Sequence, residues 1–117
     1  MDDTTLKQAQ QLRVNGRYDE AIVLFEQILS DAPDCAAAWW GLAHCTFNHV
    51  GDFDAAREQF EKAVALDPTN LRYQLDLAMY FTMLGMFEEA KPIFERIVSA
   101  DPTSKEAQEA RKQLSYY

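Results

Sequence analysis

Residues 51–69 read GDFDAAREQFEKAVALDPT, and the fold turns on this stretch. Ala56, Phe60, Ala63 and Val64 fall at i, i+4, i+7 and i+8, the spacing that lines apolar side chains along one face of an α-helix. Asp54 stands at the start of that helix, where a carboxylate meets the positive end of the peptide dipoles. Gly51 precedes it, suited to the left-handed backbone that closes an earlier helix, and Pro68 marks the stop. The same order occurs twice more, as GRYDEAIVLFEQILSDAPD over 16–34 and GMFEEAKPIFERIVSADPT over 85–103. Gly16, Gly51 and Gly85 recur with Tyr18, Phe53 and Phe87, then Ala21, Ala56 and Ala90, Phe25, Phe60 and Phe94, and Pro33, Pro68 and Pro102. The steps are 35 and 34 residues. Such a period predicts like units stacked on one another.

Upstream of each glycine lies a second helical pattern: Leu6, Ala9 and Leu12; Trp39, Leu42, Ala43 and Phe47; Leu77, Ala78, Phe81 and Leu84. Each copy is therefore a pair of helices, with repeat one over 2–34, repeat two over 35–69 and repeat three over 70–103. In the segment TSKEAQEARKQLSYY, Thr103 and Glu106 have capping-box spacing, and Ala107, Ala110 and Leu114 form a thin apolar stripe. That pattern predicts a capping helix over 104–115 that covers the last pair and faces water, with Tyr116 and Tyr117 folded back or extended. The expected fold is an all-α solenoid of three antiparallel helix pairs in one domain, 1–117. Ala43 to Ala78 is 35 residues but Phe47 to Phe81 is 34, so one extra residue lies between Ala43 and Phe47. We read it as a π-bulge, with a longer, locally overwound helix as the alternative. Pro92 falls about one turn into its helix, where its cost is smaller than in the middle.

With 117 residues, 48% hydrophobic and 26% charged, the chain has the composition of an ordinary globular domain. Its formal net charge of -8 opposes binding to nucleic acid and to anionic membranes. The start, MDDTTLKQAQQ, has neither a basic nor an apolar signal region, and no later run approaches a membrane span, so a cytoplasmic location is expected. Cys35 and Cys45 are read as reduced thiols. His44, Cys45 and His49 form the one cluster of ligand types, but a structural zinc site wants four ligands, so no metal or other cofactor is expected. The carboxylates fall on solvent faces or at helix starts, and there is no Gly-rich phosphate loop, no GxSxG and no histidine with an adjacent nucleophile in a strand-to-helix turn. The chain is not expected to be an enzyme.

The order of Trp39, Leu42 and Ala43, then Gly51, Phe53, Ala56, Phe60 and Pro68, resembles the tetratricopeptide repeat, and the resemblance covers nearly the whole chain. It implies a right-handed superhelix, with a close crossing of paired helices at Ala9, Ala43 and Ala78 and at Ala21, Ala56 and Ala90. It also implies that Phe25, Phe60 and Phe94 fill the space between successive pairs. The family's Trp position is Thr5 in the first copy and Gln74 in the third, and its Leu position is Gln8 in the first, so the opening helix is weakly apolar and expected to fray.

Trp39 and Trp40 are neighbours, and side chains one step apart on a helix point about 100° away from each other. If Trp39 is the family's packing residue, Trp40 turns toward the concave groove in which the family receives an extended or helical peptide. That places Trp40, His44 and Asn48 in the groove, with Leu6, Gln10 and Arg13 from the first copy and Arg72, Leu75, Met79, Thr82 and Met83 from the third. The alternative is that Leu6 and Leu75 cover Trp40, which then contributes only packing. Some members of the family clamp the C-terminal carboxylate of heat-shock chaperones with lysines, asparagines and arginine. The corresponding Leu6, Gln10, Gly41, Arg72 and Asp76 include only Arg72 as a fit, so that clamp is missing. The expected ligand is a short segment with one or two bulky apolar side chains, its acidic residue or carboxylate accepted by Arg13 and Arg72. The resemblance thus implies an interaction module, an adaptor or scaffold for a protein or peptide partner. The alternatives are a homo-oligomeric assembly module and a dedicated chaperone, since WGLAHC (40–45) resembles the three-repeat chaperones of bacterial type III secretion.

Overall fold

The computed structural model describes residues 3–117, so residue 2, the expected start of repeat one, lies outside the described residues. All the regular structure among the described residues is helical: α1 (Asp3–Val14), α2 (Tyr18–Asp31), α3 (Ala36–Cys45) running into a π-helical turn (Thr46–Val50), α4 (Phe53–Leu66), α5 (Leu71–Met83), α6 (Phe87–Ala100) and α7 (Lys105–Leu114). Two compact units divide it, Met1–Asp67 and Pro68–Tyr117.

In the first unit α1 packs on α2, α2 on α3, and α3 on α4, with α1 also touching α3. The small residues that the repeat places on these helices explain the close approach: Ala9, Ala21, Ala43 and Ala56 are all fully buried. Phe25 of α2 is fully buried too, and its ring lies against Gly41 of α3. In the second unit α5 packs on α6, and α7 packs on both. Ala78, Ala90, Phe94 and Ile97 are fully buried there, so the same logic of small residues at crossings and a phenylalanine behind them holds.

The first helices end on glycine in the left-handed region, with φ of 79°, 78° and 74° at Gly16, Gly51 and Gly85. At Gly16 and Gly85 the following residue reaches back: the Arg17 N–H donates to Leu12 O and the Met86 N–H to Phe81 O, both at 2.8 Å. At Gly51 this bond is shifted by one, because the glycine's own N–H donates to Thr46 O at 2.8 Å. The extra residue of the second copy is absorbed in that five-residue reach, which is π winding over Thr46–Val50.

α7 buries Ala107 and Ala110 and exposes Lys105, Gln108, Arg111 and Lys112, the pattern of a helix with one packed face. Its cap corrects the sequence expectation. Ser104, not Thr103, is the N-cap and accepts the Ala107 N–H at 3.0 Å, while Thr103 Oγ1 donates to Asp101 Oδ1 at 3.3 Å. Alanine stands at the third helical position, so the cap is one-sided, and the helix covers Lys105–Leu114 between its caps Ser104 and Ser115. Tyr117 folds back, its ring edge-on to Phe87 at 6.0 Å and its hydroxyl donating to Phe87 O at 3.4 Å.

A shared device closes each turn that contains a proline. The Trp39 indole Nε1–H donates to Pro33 O at 2.8 Å, Gln74 Nε2 to Pro68 O at 2.6 Å, and Arg111 Nη1 to Pro102 O at 2.9 Å. Three unlike side chains do one job, which is to satisfy a carbonyl left over beyond a helix end. Gln74 keeps the donor of the tryptophan it replaces. Trp39→Phe should therefore cost about 1 kcal/mol, since water reaches the exposed Pro33 carbonyl once the indole donor is gone. A thermal melt should fall by about 4 °C.

Candidate peptide-binding site

The two tryptophans of α3 have different surroundings. Trp39 packs against the buried cluster that contains Ala9, Ala21, Phe25 and Leu42. Trp40 is half-buried beside α1. The Arg13 Cζ lies 4.7 Å from its ring centroid, and His44, one turn on, meets it edge-on at 4.8 Å and 76°. His44 in turn stands edge-on to the buried Phe60 at 5.2 Å and 86°. The result is a ladder of rings running from the core of the first unit to its surface, with a guanidinium on the outermost ring.

Gln10 fixes the guanidinium. Its Nε2 donates to Ala37 O on α3 at 3.3 Å, and its Oε1 accepts from Arg13 Nε at 2.9 Å. Leu6 is half-buried and borders an open depression of about 430 Å³ with Lys7, Gln10, Gln11 and Val14. Thus Leu6, Gln10, Arg13, Trp40 and His44 all lie in the first unit. Asn48 is exposed within the π turn that continues α3.

In the second unit the α5 residues divide. Leu75 is only 5% exposed and serves as packing, whereas Met79 is half-buried and Met83 is 64% exposed. Thr82 Oγ1 is turned onto its own helix, donating to Ala78 O at 2.9 Å. Thr82 also borders a cavity of about 240 Å³ lined by Phe87, Gln113, Tyr116 and Tyr117, which the sequence did not suggest. Arg72 is neutralised by its own helix: its Nε lies 3.4 Å from Oδ2 of the buried Asp76. That pair has i, i+4 spacing and was visible in the sequence, but its consequence for a ligand carboxylate was missed.

The His and Cys cluster is dispersed. His49 leaves the Trp40 face, stacking on Tyr18 at 5.3 Å and placing Nε2 3.0 Å from Asp19 Oδ1. Among the described residues no group of three or more His, Cys, Asp or Glu side chains could hold a metal ion. Both cysteines are free, Cys35 half-buried and Cys45 buried. Burial pushes the Cys45 thiol up to about 11, with the charge of Arg13 pulling it the other way. At pH 8 a disulfide reagent should therefore react with Cys35 in the native protein and with Cys45 only after urea is added. The thiol of the unfolded chain ionises near 9.0, below the native value, so stability is intact under that pH and falls as pH rises toward 11. A second native thiol reacting as fast as the first would contradict this burial. No helix among the described residues is long and apolar enough to cross a membrane.

Helix pairs closed by a left-handed glycine and packed through buried alanines define a helical-repeat protein. The family model for the tetratricopeptide repeat matches residues 12–49 and 49–114, and the chain belongs to that family, whose domains are protein–protein interaction modules. Among known proteins, the Protein CTR9 homolog of Arabidopsis thaliana is 35% identical over 57 residues, which are 48% of this chain and span 5% of that relative's length. The first TPR of Spaghetti (RPAP3) bound to HSP90 peptide SRMEEVD superposes with a TM-score of 0.81 at 23% identity, covering 97% of this chain and 89% of that one. The second TPR domain of human RPAP3 in complex with HSP70 peptide SGPTIEEVD gives a TM-score of 0.79 at 19% identity, covering 95% and 92%.

Proposed function

We propose that this chain binds a partner segment through apolar anchors on the first helices of its pairs and acts as an adaptor or scaffold. The observation that carries the reading is Trp40: a partly exposed ring on α3 that carries the Arg13 guanidinium, while its neighbour Trp39, buried to a similar degree, packs on the cluster around Phe25 and donates to Pro33 O. Met79 and Met83 extend the same chemistry on α5, since thioethers accept varied apolar side chains. The peptide-bound neighbours support a short segment as the ligand, and the missing lysine and asparagine clamp speaks against their particular peptides for this chain. In this reading the three repeats, 2–34, 35–69 and 70–103, and the capping segment serve binding without cofactor or catalysis. The negative charge fits a cytoplasmic protein that avoids nucleic acid and membranes.

Affinity capture with wild type, Trp40→Ala and Met79→Ala tests the reading. A genuine partner is lost or strongly reduced with both variants, and equal capture by all three removes the groove. Self-assembly is a second reading, favoured by the exposed Leu84, Phe87 and Tyr116 of the second unit. Light scattering across a concentration range separates the two, because an adaptor stays monomeric.

A further inference from the structure

We infer that Arg13 is the receptor for a side-chain carboxylate of the bound segment, held ready by Gln10 and Trp40; this rests on the groove reading above and assigns its specificity. The chain is acidic, with 19 Asp and Glu against 11 Lys and Arg, and three of its six arginines pair with a carboxylate nearby in sequence. Arg17 pairs with Glu20, Arg57 with Glu61 and Arg72 with Asp76. Arg13, like Arg96 and Arg111, has no carboxylate partner among the described residues, and of these three it is the one that lies on the Trp40 ring. Its Nε–H is given to Gln10, and the Nη groups, four of the five guanidinium donors, remain for a ligand.

The guanidinium is also fixed in place. Gln10 is tied to the Ala37 carbonyl, Arg13 is tied to Gln10, and the Trp40 ring lies beneath Cζ. The entropy of ordering a long side chain is thus lost on folding and not on binding, which favours a preorganised anion receptor. An unpaired fork of this kind matches a carboxylate edge-on, with two parallel hydrogen bonds. The Trp40 ring lies beneath the guanidinium, and Gln10, which holds it, borders the open depression that Leu6 and Val14 line with Lys7 and Gln11, Val14 being 66% exposed. A ligand that satisfies both parts has a glutamate or aspartate with bulky apolar residues beside it. We commit to the side chain as the source, because a chain terminus would bring its charge without an apolar residue on one side.

The test uses blocked model peptides on the full chain, with NMR of the Arg13 Nε–H and the Trp40 indole N–H as the readout. Acetyl-Leu-Glu-Leu-amide should shift both signals and bind about fivefold more tightly than acetyl-Leu-Gln-Leu-amide, the advantage fading in high salt. In Arg13→Gln the two peptides should bind alike, with the weaker affinity retained. In Gln10→Leu, with Arg13 intact but no longer fixed, the preference should shrink without a change in the melting temperature beyond a few degrees. Equal binding of the Glu and Gln peptides to wild type overturns the receptor and leaves the apolar groove standing. Failure of both peptides to move the Trp40 signal overturns the groove reading as well. Tighter binding of acetyl-Leu-Gln-Leu with a free carboxylate overturns the side-chain source.

Discussion

Gly41→Val is expected to destabilise the protein by about 3 kcal/mol, the upper part of the range for overpacking a filled core. A Cβ at position 41 would lie 2.6 Å from Phe25 Cε1 and closer still to Cζ, and Phe25 is fully buried, so the ring has nowhere to turn. The gain from placing valine where a helix held glycine is only a few tenths of a kcal/mol and cannot offset this. Melting should drop by about 10 °C, as read by circular dichroism. Gly41→Ala should be milder, because the better helix propensity of alanine, about 1 kcal/mol, opposes the clash. Adding Phe25→Leu to Gly41→Ala should return part of the loss, a positive coupling between two residues in contact. A Gly41→Val protein that melts within two or three degrees of wild type would contradict the packing of α2 on α3.

Trp40→Ala should divide in the opposite way, with a large effect on binding and a small one on folding. If Trp40 is the central anchor, its truncation costs about 2 kcal/mol of affinity, or roughly 30-fold in Kd. Beyond the area the ring buries, its contribution to stability includes the Arg13 contact and the edge of His44, together on the order of 1 kcal/mol. Titration calorimetry with an identified partner and a melt of the same two proteins measure both quantities. A steep fall in melting temperature with unchanged Kd would make Trp40 a packing residue.

The hairpins were legible in the sequence because each rests on local rules: apolar spacing at 3.6 residues, glycine where the backbone turns left-handed, proline after the stop. The extra residue near Thr46 was legible by counting alone, since a repeat supplies its own ruler. What escaped depends on how helices approach one another. The contact of Phe25 with Gly41 and the seat of Arg13 on Trp40 join residues that are distant in sequence, and no periodicity reports the gap between them. Gln74 was read as a departure from the family's tryptophan, yet it keeps the bond to the proline carbonyl, because a donor in the right place matters there more than a ring. Ser104 took the cap from Thr103 because two adjacent hydroxyls compete for one helix start, and spacing could not choose between them. For the site, the face of α3 was legible and its depth was not: Leu75 is buried, Arg72 is engaged by Asp76, and Phe60 backs His44 from within the core.

NMR mapping of a bound partner segment onto labelled protein tests the central claim most directly. The account predicts that the Trp40 indole and the His44 ring shift together as the segment is added. Shifts confined to the exposed faces of α2, α4 and α6, around Val23 and Leu66, with the Trp40 indole unmoved, would contradict it.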